Sequence, residues 1–388
     1  FNCCCILKSY RMKEAHRLIE NIDKIKREDL ESDSLLNGKL GLVYYYLCLY
    51  KVFNKEDHLQ RIEKNLESIF TNIEKGVSSL MYDSTLENGL SGLGYVLQLL
   101  IEEKIIDESY NSQLEEINNI VVDQAIELIQ NNNYDFVRGP FGILFYLNYV
   151  DSKPHVNRVL EALFEKLKED KNFLFYNEYT YIEGVHIGYA HGLCAIIKVL
   201  NDINDERAEY FVRYLLDKLI NIMKKNEYQI IKDKKYYLPR SIHKGDEFEK
   251  GLNYRAVLAW SNCDVNFSTL IYSLNEKFKT NELLTIANKI ALESLEKREE
   301  KHTRIWDHRF YFGSSGVLKT YMFLYKKTRN SKYKEASNFW YQKTLNYLTE
   351  STIKEHPLNF LNNLPATALS LLEFEREEEF NWSKILLL

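Results

Sequence analysis

A pair of glycines spaced as GxxG returns about every 50 residues along this chain, each time opening an apolar stretch, and a repeat of that period constrains the fold before anything else does. The copies read Gly38-Lys39-Leu40-Gly41, Gly89-Leu90-Ser91-Gly92, Gly139-Pro140-Phe141-Gly142 and Gly313-Ser314-Ser315-Gly316. Degenerate copies stand at Gly192 to Ala195, Cys263 to Asn266 and Asn363 to Ala366, which makes seven units. Each leads into residues such as Leu42, Tyr45, Tyr46 and Leu49, or Leu93, Val96, Leu97 and Leu100, whose i, i+3, i+4, i+7 spacing marks the buried face of a helix. The glycines are therefore expected at helix starts, where they permit backbone conformations closed to other residues and close approach of neighbouring chains.

A second amphipathic segment precedes most copies: Leu59 to Ile73, Leu114 to Gln130, Val156 to Leu167, Tyr210 to Lys224 and Leu283 to Arg298. The unit is thus a helical hairpin, which buries its apolar face only by stacking on neighbours. Seven such hairpins predict an all-α fold, an α/α toroid, over one domain spanning 1–388, since no Gly/Ser/Pro-rich linker interrupts the period. The step from the fourth copy to the fifth is longer and carries a polar, Tyr- and Lys-rich insertion around 229–253. Insertions in repeat proteins map to one face, often the binding face.

The 388 residues, 45% hydrophobic and 28% charged with five prolines, suit a helical protein with an ample core. A net charge of −5 carries no nucleic-acid signature. No apolar run approaches the ~20 residues of a spanning helix, and Phe1 to Tyr10 lacks the layout of a secretory signal, so the expectation is a cytoplasmic protein. Six cysteines, three adjacent at Cys3, Cys4 and Cys5, do not resemble a disulfide framework. Palmitoylation of that cluster lacks a second anchoring signal.

The seven GxxG hairpins, joined to Gly188-Tyr189-Ala190-His191-Gly192 and to Ala259-Trp260 ahead of Asp264, resemble the LanC (lanthionine synthetase C-like) family over nearly the whole chain. The resemblance implies a double ring of seven inner and seven outer helices. It also implies the family's activity, addition of peptide cysteine thiols to dehydroalanine or dehydrobutyrine. Family members that use zinc hold it with a Cys in an Ala-Trp-Cys-Tyr-Gly stretch and with an adjacent Cys-His. Here Ser261 stands where the first ligand belongs, Cys263 stands at the repeat glycine, and Tyr311-Phe312 replace the Cys-His pair. A hydroxyl is a poor zinc ligand and a phenyl ring is none, so no zinc or other cofactor is expected. Moving a ligand two residues along a helix start swings it roughly 200° around the axis, which disfavours Cys263 combining with His308 or His191 to rebuild a metal site.

By the same resemblance, His191 matches the imidazole that serves as acid or base, and Asp135 in Tyr134-Asp135-Phe136-Val137-Arg138-Gly139 matches the aspartate ahead of the third glycine pair. Thioether formation needs a thiol to lose a proton and an enolate to gain one, and one imidazole cycling between base and acid serves both steps. Read without the family, His191 is equally a core or capping histidine and Asp135 a helix cap. Arg255, Arg309 and Trp260, beside the altered metal positions, are candidate substrate contacts, with surface ion pairs the plainer role for the arginines. The 28 tyrosines and the acidic run Glu373 to Glu379 read as core and as a solvated terminal face.

Two functions are expected from different classes. One is a zinc-independent cyclase acting on a dehydrated precursor peptide. The other is a degenerate subunit that binds the precursor or docks to a lanthipeptide dehydratase or a second cyclase. A six-hairpin glycosidase with two opposed carboxylates is disfavoured by seven repeats.

Overall fold

The computed structural model describes residues 13–25, 30–169, 175–178, 182–243, 251–349 and 358–388. The cysteine cluster at 3–5 and residues 244–250 of the insertion lie outside them. The chain divides into two compact units, one of residues 84–304 with 387, the other of residues 1–83 and 305–386 with 388.

All seven repeat copies open helices. In the first unit these are α4 (Leu90–Glu102), α6 (Pro140–Tyr149), α8 (Leu193–Asn201) and α10 (Val265–Ser273). In the second they are α2 (Lys39–Phe53), α12 (Ser314–Thr328) and α14 (Leu364–Arg376). They are buried at nearly every position, as α2 is from Leu40 to Leu49, because a helix that is apolar all round has no face for water. Each is flanked by helices with a single apolar stripe: α1 (Lys13–Lys24), α3 (Glu56–Glu74), α5 (Asn111–Gln130), α7 (Lys153–Glu169), α9 (Glu206–Asn226), α11 (Asn281–Ser294) and α13 (Ser331–Tyr347). Short connections make antiparallel neighbours of α2 and α3, α8 and α9, α10 and α11, and α12 and α13. The hairpin therefore pairs a glycine-led helix with the amphipathic helix that follows it. Helix α14 packs against α1, and also against α2 and α12.

The repeat glycines are required by close approach and not by unusual dihedrals. Gly139 is extended at φ −154° and ψ −169°, and Asn363 takes nearly the same conformation at φ −149° and ψ −153° in the seventh copy. What excludes side chains is the preceding loop, which folds back on the helix start. A Cβ at Gly41 would stand 2.3 Å from the Leu35 carbonyl oxygen, and one at Gly142 would stand 2.2 Å from that of Phe136. The same fold-back supplies acceptors to the first helical N–H groups: Ser91 N donates to Ser84 O, Cys194 N to Ile187 O, and Ser314 N to Asp307 O.

Each unit carries a sealed polar cluster. In the second unit Lys319 Nζ meets Glu373 Oε1 at 2.5 Å, Trp382 Nε1 donates to Glu373 Oε2 at 2.6 Å, and Tyr44 OH donates to the Trp382 carbonyl. In the first, Lys297 and Asp264 form a pair at 3.0 Å with both side chains 1% exposed, and the Lys297 ammonium lies 3.9 Å from the centre of the Tyr236 ring.

The insertion is a small β structure. Strands β2 (Gln229–Ile231) and β3 (Lys234–Tyr236) form a hairpin. Strands β4 (Ser241–Ile242) and β5 (Leu252–Asn253) join β1 (Val185–His186) in an antiparallel sheet of order β1-β4-β5, with His186 opposite Ser241 and Ser241 opposite Asn253. The insertion thereby becomes the neighbour of the segment that carries His191.

Candidate functional site

Asp135 and His191, 56 residues apart in sequence, meet in the first unit. The imidazole Nδ1 lies 2.5 Å from Asp135 Oδ2; Asp135 is fully buried, whereas the His191 side chain is 21% exposed. Asp135 is positioned by the fold-back loop ahead of α6. Its Oδ1 accepts from Arg138 N at 2.7 Å, its own N–H donates to Asn133 Oδ1, and Tyr134 N donates to Asn177 Oδ1. Arg138 forks onto the Glu87 carboxylate, which ties the second repeat loop to the third.

His191 sits on the tight turn ahead of α8. Ala190 clasps both neighbours, its carbonyl accepting from Val137 N at 3.3 Å and its N–H donating to Ser261 O at 3.0 Å. Gly188 permits this contact, since a Cβ there would stand 2.3 Å from the Ser261 carbonyl oxygen. The buried Tyr189 hydroxyl accepts from Thr269 on α10. The backbone thus holds the His191 imidazole with Nδ1 against the Asp135 carboxylate and Nε2 on the side of the ring away from it.

His186 is the residue that sequence reasoning missed. It stands on β1, bridged through its backbone to Gly192, and its ring lies edge-on to that of His191 with centroids 6.3 Å apart. Burial, and then the neighbouring His191 and Arg240, push its pKa down to about 4. Its Nε2 is buried without a hydrogen-bond partner, as are Ser261 Oγ and Asn262 Oδ1, whose backbone lies against Gly188. A histidine five positions ahead of His191 was visible in the sequence; its neighbour relation came only with the strand register.

Trp260 is fully buried, and its carbonyl accepts from Asn266 Nδ2. Arg255 is exposed, with Nε 3.4 Å from Asn253 Oδ1. Cys263 is a sealed thiol whose Sγ donates to Ala259 O, and burial together with Asp264 pushes its pKa up to about 12. In the second unit Arg309 pairs with Asp307 at 2.6 Å, Tyr311 and Phe312 meet edge-to-face, and His308 Nδ1 lies 3.1 Å from Thr367 Oγ1. Among the described residues no group of three or more His, Cys, Asp or Glu side chains is placed to hold a metal ion. Nor is any helix among them long and apolar enough to cross a membrane.

The family described as Lanthionine synthetase C-like protein matches residues 29–387. No curated protein matches the sequence. Among solved structures, nisin cyclase is similar at a TM-score of 0.74, covering 97% of this chain and 96% of that one at 19% sequence identity. That likeness shows the fold, and the all-α toroid class expected from the repeats is the class it shows.

Proposed function

Because the chain belongs to the lanthionine synthetase C-like family, we propose that it closes thioether rings in a dehydrated precursor peptide, adding cysteine thiols to dehydroalanine or dehydrobutyrine without a zinc ion. The observation that carries this reading is the Asp135–His191 contact, a buried carboxylate behind a partly exposed imidazole. His191 Nε2 takes the proton of the substrate thiol. The sulfur bonds to the β-carbon of the dehydroamino acid, and the π electrons move towards the α-carbon as an enolate. The proton then passes from the imidazolium to that carbon, leaving His191 neutral. Asp135 accepts the Nδ1–H throughout and favours the transient cation.

The donor set does not fit zinc. Ser261 offers a buried hydroxyl, Cys263 a protonated thiol already committed to Ala259 O, and Tyr311 and Phe312 a phenol and a phenyl ring. Without Lewis-acid help the reaction rests on proximity to an already electrophilic alkene.

Those same positions favour a second reading, in which the chain holds the precursor, or docks to a dehydratase or active cyclase, and does no chemistry. The test is to incubate metal-stripped protein with a dehydrated precursor containing free cysteines and count alkylatable thiols by mass spectrometry. Disappearance faster than in buffer, lost in a His191→Ala protein, is expected for the cyclase. Wild type matching buffer even with zinc restored leaves the binding subunit.

A further inference from the structure

We propose that His186 is a second substrate-contacting histidine of this site, its Nε2 accepting a hydrogen bond from the cysteine thiol of the peptide. The inference deepens the cyclase reading and rests on its peptide-thiol chemistry.

Three observations converge on this residue. The first is the orphan nitrogen. Along the three-stranded sheet, Ser241 Oγ meets His243 Nε2 at 3.0 Å and accepts from Asn253 Nδ2, and Asn253 Oδ1 in turn faces Arg255. His186 Nε2, in the same cross-strand row, is buried with no protein partner. A buried polar atom left in this way is costly, and a ligand that satisfies it accounts for its retention.

The second observation is placement. The backbone bridge from His186 to Gly192 and the Cys194 N–H on the Ile187 carbonyl wrap the segment from 186 to 192 into a closed turn that carries both imidazoles. Arg240 presents its carbonyl to Ile187 N from the strand side, and Asp135 lies behind His191.

The third is chemical state. With its pKa near 4, His186 is a neutral imidazole at ordinary pH, so an unpaired ring nitrogen there can be a lone-pair acceptor. In the proposed reaction the group that must come closest to His191 is an S–H, which is a donor. Of the buried acceptors without a protein partner, His186 Nε2 is the one whose ring lies edge-on to that of His191. Accepting from the thiol orients the sulfur before His191 takes its proton; His186 itself is too weak a base to remove it.

The test uses the full chain and a short synthetic peptide carrying one dehydroalanine and one cysteine, beside the same peptide with S-methylcysteine. Calorimetry should show wild type binding the thiol peptide roughly fivefold more tightly than its methylated twin. His186→Phe should lose that preference, and His186→Gln, whose amide oxygen still accepts, should keep part of it. Should the Phe variant not fold, 15N NMR of the wild-type protein decides: the thiol peptide, and not the methylated one, shifts the His186 Nε2 resonance. Equal binding of both peptides by wild type, or a preference that survives in folded His186→Phe, overturns the assignment. A preference in wild type with no ring closure by mass spectrometry leaves His186 as a thiol contact and removes the cyclase reading instead.

Discussion

Asp135 and Asp264 are two buried aspartates at the heads of glycine-type helices, each accepting a backbone N–H, yet they face opposite kinds of partner. Asp264 takes the Tyr237 N–H and pairs with Lys297 where neither side chain exceeds 1% exposure. Asp135 takes the Arg138 N–H and pairs with a histidine that keeps 21% of its side chain open. A lysine ammonium beside a carboxylate, closed off under Tyr236, is a lock. An imidazole beside a carboxylate can give up and regain a proton on its far nitrogen. On the proposed reading, the same local architecture is structural or reactive according to what the partner is and whether anything can reach it.

The largest effect should come from opening the lock. Lys297→Met leaves Asp264 as an uncompensated buried charge and should cost about 3–5 kcal/mol of stability in urea denaturation. The double variant Asp264→Asn/Lys297→Met should recover most of that loss. If the double is as unstable as the single, the pair is not what holds α10 to its neighbours.

Asp135→Asn should behave in the opposite way. It keeps the shape of the side chain while removing the charge behind His191, so the urea midpoint should move little. Ring closure should slow on the order of 10²-fold, within the usual range for general acid–base assistance. A variant that unfolds while the residual folded fraction stays fully active would make Asp135 a second lock and erase the contrast.

The smallest effect is a pH dependence of stability. His186 is held at about 4 in the folded protein against 6.5 for a free imidazole. Between those values the unfolded chain takes up a proton that the folded chain refuses. The contribution is fully present above pH 6.5 and is lost as pH falls towards 4, about 2 kcal/mol of it by pH 5. Denaturation at pH 7 and pH 5 should therefore show a shallower change for His186→Phe than for wild type. Equal changes would mean that His191, Asp135 and Arg240, which face this ring, set the slope without it.

The helices were legible because their signal is repetitive. Seven apolar runs with a fixed opening announce themselves even where the glycines have decayed to Cys263 and Asn363. The amphipathic segments came within a few residues of the observed helices; Leu283 to Arg298 overshot, since α11 stops at Ser294. Asp135 and His191 were found through family motifs, and nothing in their separation of 56 residues indicated that they touch. His186 was hidden for a different reason. Strands β1, β4 and β5 are two residues long each, too short for alternation to show, and their register depends on an insertion folding back on an earlier turn. The reason first assigned to the repeat glycines was half right: proximity of the loop carbonyls excludes side chains there, while the dihedrals are open to any residue.

The packing of α1 on α14 has a consequence in time. The Ala15 N–H is accepted by the Glu375 carboxylate across 360 residues of chain, and α14 also packs against α2. On the ribosome α1 to α3 precede the whole of 84–304, and α12 to α14, the other half of their unit, follow it. That middle stretch can reach its native packing while synthesis continues, because all its glycine-led helices and their followers are its own. Helices α1 and α2 must wait with apolar faces uncovered until α14 emerges, so they mature after the stretch synthesised behind them and need protection from aggregation in the interval.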